Sequence, residues 1–245
     1  MLKIRAAKIR LYFGTPKSRD VFYVPEPATE MPLVPYHPVP GTVRSALWRK
    51  TETLEVLFNE HSFLSGKKGE MEAIALEKRR WEWACTQVLK HSLGMSEEVL
   101  FYQNGKPYLA SDRHISISHG AGLAGVITGD TPMGIDIQLP DPKLAIISKR
   151  FCHPDELKDV KQAGDPLGYL TTLWSAKEAI FKIFGEHVHF SEDIRIQPFA
   201  PGDRTLQATI RRNGVDLFPG VQRDIIDSHH VVVAWLRNGN AFSGV

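Results

Sequence analysis

Gly134-Ile135-Asp136-Ile137-Gln138 and Trp174-Ser175-Ala176-Lys177-Glu178-Ala179-Ile180-Phe181-Lys182 decide how this chain is read. The first alternates apolar and polar residues, so as a strand it turns Asp136 and Gln138 to one side and Ile135 and Ile137 to the other. The second has helical spacing, with Trp174, Glu178 and Lys182 following one another at i, i+4 and i+8 on one side. Joined in space, the two would form an oxygen-lined site for a hard divalent cation, with ammonium groups nearby for an anion.

Outward from these segments, short strands crowd together at 99–102, 114–119, 122–128 and 134–138, broken by Asn104-Gly105 and Thr131-Pro132. Helical patterns follow over 142–150, 154–162 and 166–184. Strands at 193–197, 205–211 and 230–236 close the chain, with Asn213-Gly214 as a hairpin turn. Upstream, 4–13 reads as a strand. Pro25, Pro27, Pro32, Pro35, Pro38 and Pro40 then make a stretch unfit for a helix or central strand. Val43, Ala46, Leu47, Leu54, Leu57 and Phe58 predict a helix over 42–60 with Thr42 as N-cap. A second helix is expected over 70–92, with Met71, Ile74, Ala75, Trp81, Val88 and Leu89 on one face and Gly94 as its stop. Helix and strand mix without a regular βαβ repeat, so the expected class is α+β.

With 245 residues the chain can bury a sizeable core without a metal or disulfide staple. Cys85 and Cys152 lack CxxC spacing and read as small buried hydrophobes. A net charge of +2 is too small to argue for nucleic acid. No apolar run approaches the roughly 20 residues of a membrane span, and the first residues do not form an apolar signal core. The expectation is a cytoplasmic protein with neither nucleic acid nor membrane as partner.

Four motifs in order carry a resemblance to a family: Asn104-Gly105-Lys106-Pro107-Tyr108-Leu109, Ile115-Ser116-Ile117-Ser118-His119, the Gly134-Ile135-Asp136 strand, and the Trp174 to Lys182 helix. In spacing and order they resemble the signature of the Sfp-type 4'-phosphopantetheinyl transferases. The resemblance is firm over residues 77–184. It implies two similar α/β subdomains, 1–130 and 131–245, related by a pseudo-twofold axis with the active site in the cleft between them. It also implies transfer of the 4'-phosphopantetheine arm of CoA to a serine of an apo acyl or peptidyl carrier protein, releasing adenosine 3',5'-bisphosphate, by a monomeric enzyme. Two rival readings stand beside it: a degenerate CoA-binding protein without activity, suggested by Gln138 and Gln87, where relatives often carry Glu and Arg, and a different magnesium-dependent phosphotransferase or phosphohydrolase using the same carboxylates without a carrier protein.

Residue by residue, the resemblance implies Asp136, Gln138 and Glu178 as holders of Mg, or Mn in its place. It implies Glu178, Lys182 and His119 as catalytic groups, with Glu178 taking or relaying the serine proton. Lys106, Ser118, His119, Lys177, Lys182, Arg79 and Arg80 are the expected CoA contacts. Trp174 is expected to seat its helix against the Gly134–Gln138 strand. His187 and His189, spaced i and i+2, are not read as a metal pair, because Cys or His partners are lacking nearby.

Overall fold

Alternation along the central strands builds a four-layer arrangement: helix, sheet, sheet, helix. The computed structural model describes residues 32–39, 43–185 and 188–236; the expected strand at 4–13, Pro25, Pro27, Pro40, Thr42 and His187 lie outside them. In chain order the first elements are β1 (Leu33–Pro35), β2 (Arg44–Arg49), α1 (Leu54–Glu60), α2 (Lys68–Glu72), α3 (Glu77–Ser92), β3 (Leu100–Gln103), β4 (Lys106–Leu109), β5 (His114–Gly120), β6 (Leu123–Gly129) and β7 (Met133–Gln138). There follow α4 (Lys143–Phe151), α5 (Pro154–Gln162), α6 (Pro166–Phe184), β8 (Ile194–Ile196), β9 (Thr205–Arg212), β10 (Val215–Leu217), β11 (Gly220–Ile226) and β12 (His229–Trp235).

One antiparallel sheet has the order β1-β2-β6-β5, the other β10-β9-β11-β12-β7 with β8 also paired to β9, and β3-β4 form a separate hairpin. In β6, Ala124 and Val126 face α3 together with Trp81, Cys85 and Leu89, while Leu123 and Ile127 face the other sheet. In β12, Val231 and Val233 enter that inter-sheet layer, and Val232 and Ala234 pack under α6. A period of two thus feeds two cores from each strand. Both cysteines are free and buried among these apolar groups.

The mixed α/β class is as expected, and from β5 onward the elements that were expected lie within a few residues of their expected bounds. The expected helix over 42–60 is corrected. Residues 44–49 are strand β2, and the helix begins after Thr53, whose side chain accepts from Val56 N. The apolar Ala46, Leu47 and Trp48 serve two cores at once, which produces a continuous apolar run easily mistaken for helical spacing.

The helix over 70–92 is corrected as well, because it breaks into α2 and α3 around Ile74, whose carbonyl is taken by the Arg80 guanidinium at 2.6 Å. Its C-terminal stop is as read. Gly94 has φ +71°, its N–H bonds to the His91 carbonyl, and Met95 N–H reaches back to the Lys90 carbonyl, a Schellman closure. Sequence reading did not anticipate β1, β4, β10 or β11.

Candidate functional site

The site forms where β5, an edge of the first sheet, meets β7, an edge of the second. β7 pairs with β12 on one side only, leaving backbone groups open on the other. Ser116 Oγ accepts from Ile135 N–H and Ser118 Oγ from Ile137 N–H, both at 3.1 Å. Lys182 Nζ donates to the Ile135 carbonyl at 2.6 Å. Side chains therefore close an edge that a backbone ladder would ordinarily close. The two serines do turn away from Ile115, as alternation requires, but they meet the second sheet and are buried there.

The helix carrying Glu178 and Lys182 is brought onto β7 by Gly134. A Cβ at that position would overlap the Ala179 carbonyl oxygen, so only glycine permits this approach. The expected role of Trp174 is corrected accordingly: its ring packs on Phe151 (5.1 Å, 78°) and Phe190 (5.8 Å, 46°), anchoring α6 to α4 and to the turn that precedes β8.

At the centre, Lys182 Nζ lies 3.0 Å from Asp136 Oδ1, which also accepts from Ser118 Oγ at 3.3 Å. Asp136 Oδ2 is buried with no partner. Glu178, one turn before Lys182, has its carboxyl pushed up to about 7, first by burial and then by the charge of Asp136, against the pull of Lys182. The Asp136 charge raises the cost of ionising Glu178, and one Asp136 oxygen awaits a partner. A hard cation fits that donor set. Gln138 sits on the same side of β7 and spends its amide N–H on the Leu139 carbonyl at 2.8 Å, so its Oε1 is the oxygen it can offer. Among the described residues no cluster of three or more His, Cys, Asp and Glu side chains gathers for a metal, so any cation here rests on two carboxylates and other oxygens.

His119 is half-buried beside α3. Its Nε2 lies 3.1 Å from Thr86 Oγ1, and burial is the main force pulling its pKa down, while the Glu82 carboxylate opposes this. Glu82 is itself buried and pairs with Arg79 at 2.9 Å, which brings Arg79 to the His119 neighbourhood. Lys106 reaches across from β4 to the Ile183 carbonyl in the last turn of α6, at 3.0 Å, so it stands at the same helix end as Lys182.

Two expected contacts are not brought in. Lys177 has a fully buried side chain (0% exposed), paired with Glu156 at 2.7 Å and donating to the carbonyls of Phe190 and Ile194 at 2.8 Å. Its three donors are spent, so it frames the helix and does not reach a ligand. Arg80 is held on the Ile74 carbonyl. His189, half of the histidine pair set aside above, uses its backbone N–H on Asp193. Sequence reading missed Gly134 as a close-approach glycine, Ser116 as an edge partner, and Glu82 and Thr86 as neighbours of His119. The alternation of Ser116 with Ser118 was the available signal for the second.

Residues 132–231, which hold β7, α6 and most of the second sheet, match the model of the 4'-phosphopantetheinyl transferase superfamily. A 4'-phosphopantetheinyl transferase of Bacillus subtilis is 36% identical over 86 residues, covering 34% of this chain and 38% of that protein. 4'-phosphopantetheinyl transferase psf-1 of Bacillus pumilus is 32% identical over 100 residues, covering 38% of this chain and 43% of that one. The aligned region thus spans less than half the length of either relative. Over these residues the chain is similar to the 4'-phosphopantetheinyl transferase superfamily. 4'-phosphopantetheinyl transferase Sfp of Bacillus subtilis (strain 168) is similar as well, 34% identical over 86 residues, 34% of this chain and 38% of that protein.

Proposed function

We propose that this protein transfers the 4'-phosphopantetheine arm of CoA to a serine hydroxyl of an apo acyl or peptidyl carrier protein, leaving adenosine 3',5'-bisphosphate. The observation that carries the reading is the convergence of Asp136, Glu178 and Lys182 at the open edge of β7, inside the segment that matches the superfamily. All strands of the first sheet precede Asp130 and all strands of the second follow it, which supports a division into subdomains 1–130 and 131–245 with the active site between them.

Asp136 and Glu178 would hold Mg, or Mn, with the Gln138 amide oxygen as a neutral contributor. When bound, that ion would offset charge on the pyrophosphate of CoA. The chain's own residues would do the rest. Lys182, anchored on Ile135 and Asp136, sets a fixed ammonium beside the two carboxylates and stabilises charge growing on the transferred phosphoryl group. Glu178, raised toward neutrality, is matched to accepting the serine proton near pH 7. Lys106, His119 and Arg79 would take the nucleotide end of CoA.

Intact-mass measurement of apo carrier proteins incubated with the protein, CoA and magnesium tests this, beside Glu178→Ala and excess EDTA. The expected result is a gain of one phosphopantetheine group that both controls abolish. CoA binding without transfer to any carrier would point instead to a CoA-binding protein.

A further inference from the structure

The hydroxyl of Thr86 carries one proton, and it is already committed. Oγ1 donates to the Glu82 carbonyl one turn back on α3, at 2.8 Å, and a carbonyl can only accept. The same oxygen lies 3.1 Å from His119 Nε2. With the hydroxyl proton spent, this second contact is a hydrogen bond only if the ring donates. Nε2 therefore carries a hydrogen, and in the neutral imidazole the lone pair resides on Nδ1.

We propose that Thr86 is a positioning residue: it holds His119 as the Nε2–H tautomer, so that the ring engages a phosphate oxygen of the bound nucleotide only by taking up a proton at Nδ1. The inference rests on the function proposed above for the ligand, although not for the tautomer. The charged groups around the ring are mixed in effect: Glu82 favours the imidazolium, whereas Lys182 and Arg79 oppose it. An anion arriving beside Lys182 and Arg79 would cancel that opposition and draw the proton in. Thr86 lies outside the four signature motifs. Its contribution is geometric, since a side chain on α3 selects which nitrogen of a β5 histidine is free.

The test uses the full protein labelled with 15N-histidine, as wild type, Thr86→Ser and Thr86→Val, with long-range proton–nitrogen spectra at pH 8 without ligand. CoA binding follows by calorimetry in two buffers of different ionisation heat. Wild type and Thr86→Ser should show His119 protonated at Nε2 and proton uptake on CoA binding. Thr86→Val, nearly isosteric and checked for unchanged melting, should lose the single tautomer and bind CoA about tenfold more weakly, the scale of one charged-group hydrogen bond. Its kcat at saturating CoA should stay within about twofold of wild type, which places the loss in binding. An Nδ1–H ring in the wild type, or a Thr86→Val protein with unchanged tautomer and CoA affinity, would overturn the proposal. Failure of CoA to bind the wild type would sink the function proposed above, while the tautomer spectra would still decide the role of Thr86.

Discussion

Lys182 Nζ holds Asp136 Oδ1 at 3.0 Å while Oδ2 of the same carboxylate is buried with no partner. The ammonium satisfies one side of the acid, and its second side shares a desolvated space with Glu178, whose pKa that charge helps to raise. The site is therefore destabilising to the fold until a cation arrives, and this asymmetry can be read in solution.

Glu178 titrates at about 7 in the folded protein against a usual value of 4.5. A raised acid leaves stability intact below the unfolded pKa and removes it as pH rises through the folded one. Metal-free protein should thus lose about 1–3 kcal/mol between pH 5 and pH 8 from this group. Glu178→Gln should melt higher than wild type at pH 8 without metal, match it at pH 5, and abolish transfer. Magnesium should raise the wild-type midpoint more at pH 8 than at pH 5, and should leave the variant's unchanged; calorimetric melts check all three.

Gly134→Ala places a methyl group against the Ala179 carbonyl, a backbone atom that cannot rotate aside. The expected cost is about 3 kcal/mol, at the upper end of overpacking. Transfer should be lost in the folded fraction too, because α6 then carries Glu178 and Lys182 away from Asp136. Urea unfolding beside activity per folded molecule reads both effects.

Lys177→Met leaves Glu156 buried and charged, for about 3–5 kcal/mol of destabilisation. Glu156 also accepts from the backbone N–H groups of His153 and Ile196, so it cannot leave its place. The KM for CoA, measured on the surviving folded enzyme, should not move. A raised KM would restore Lys177 as a ligand contact.

His230 is buried against Thr172, and burial first and the Arg223 guanidinium second lower its pKa from 6.5 to about 4. A depressed histidine leaves stability intact above the unfolded value and removes it as pH falls toward the folded one. Urea midpoints should therefore drop between pH 6.5 and pH 4, and His230→Gln should flatten that part of the curve.

Local pattern was enough for much of this protein. The alternation in 134–138 and the 3.6-residue spacing in 166–184 specify β7 and α6, and they place Asp136 on one side of the strand and Glu178 with Lys182 on one side of the helix. Where a segment is apolar on both sides, as Ala46, Leu47 and Trp48 are, period alone does not separate strand from helix, and the packing of two cores decides. The same holds for Lys177 and Lys182. Both are lysines of one helix, five residues apart, and the sequence alone groups them as possible anion contacts. Only the tertiary structure gives one to Glu156 inside the core and the other to Asp136 at the site, because the angle between them around the helix points them at different neighbours. The sequence by itself determined which chemical groups the protein owns and their spacing along each element. The fold decided which of them share a desolvated space, since Ser118, Asp136 and Lys182 come together from three elements through long-range packing that no local pattern encodes.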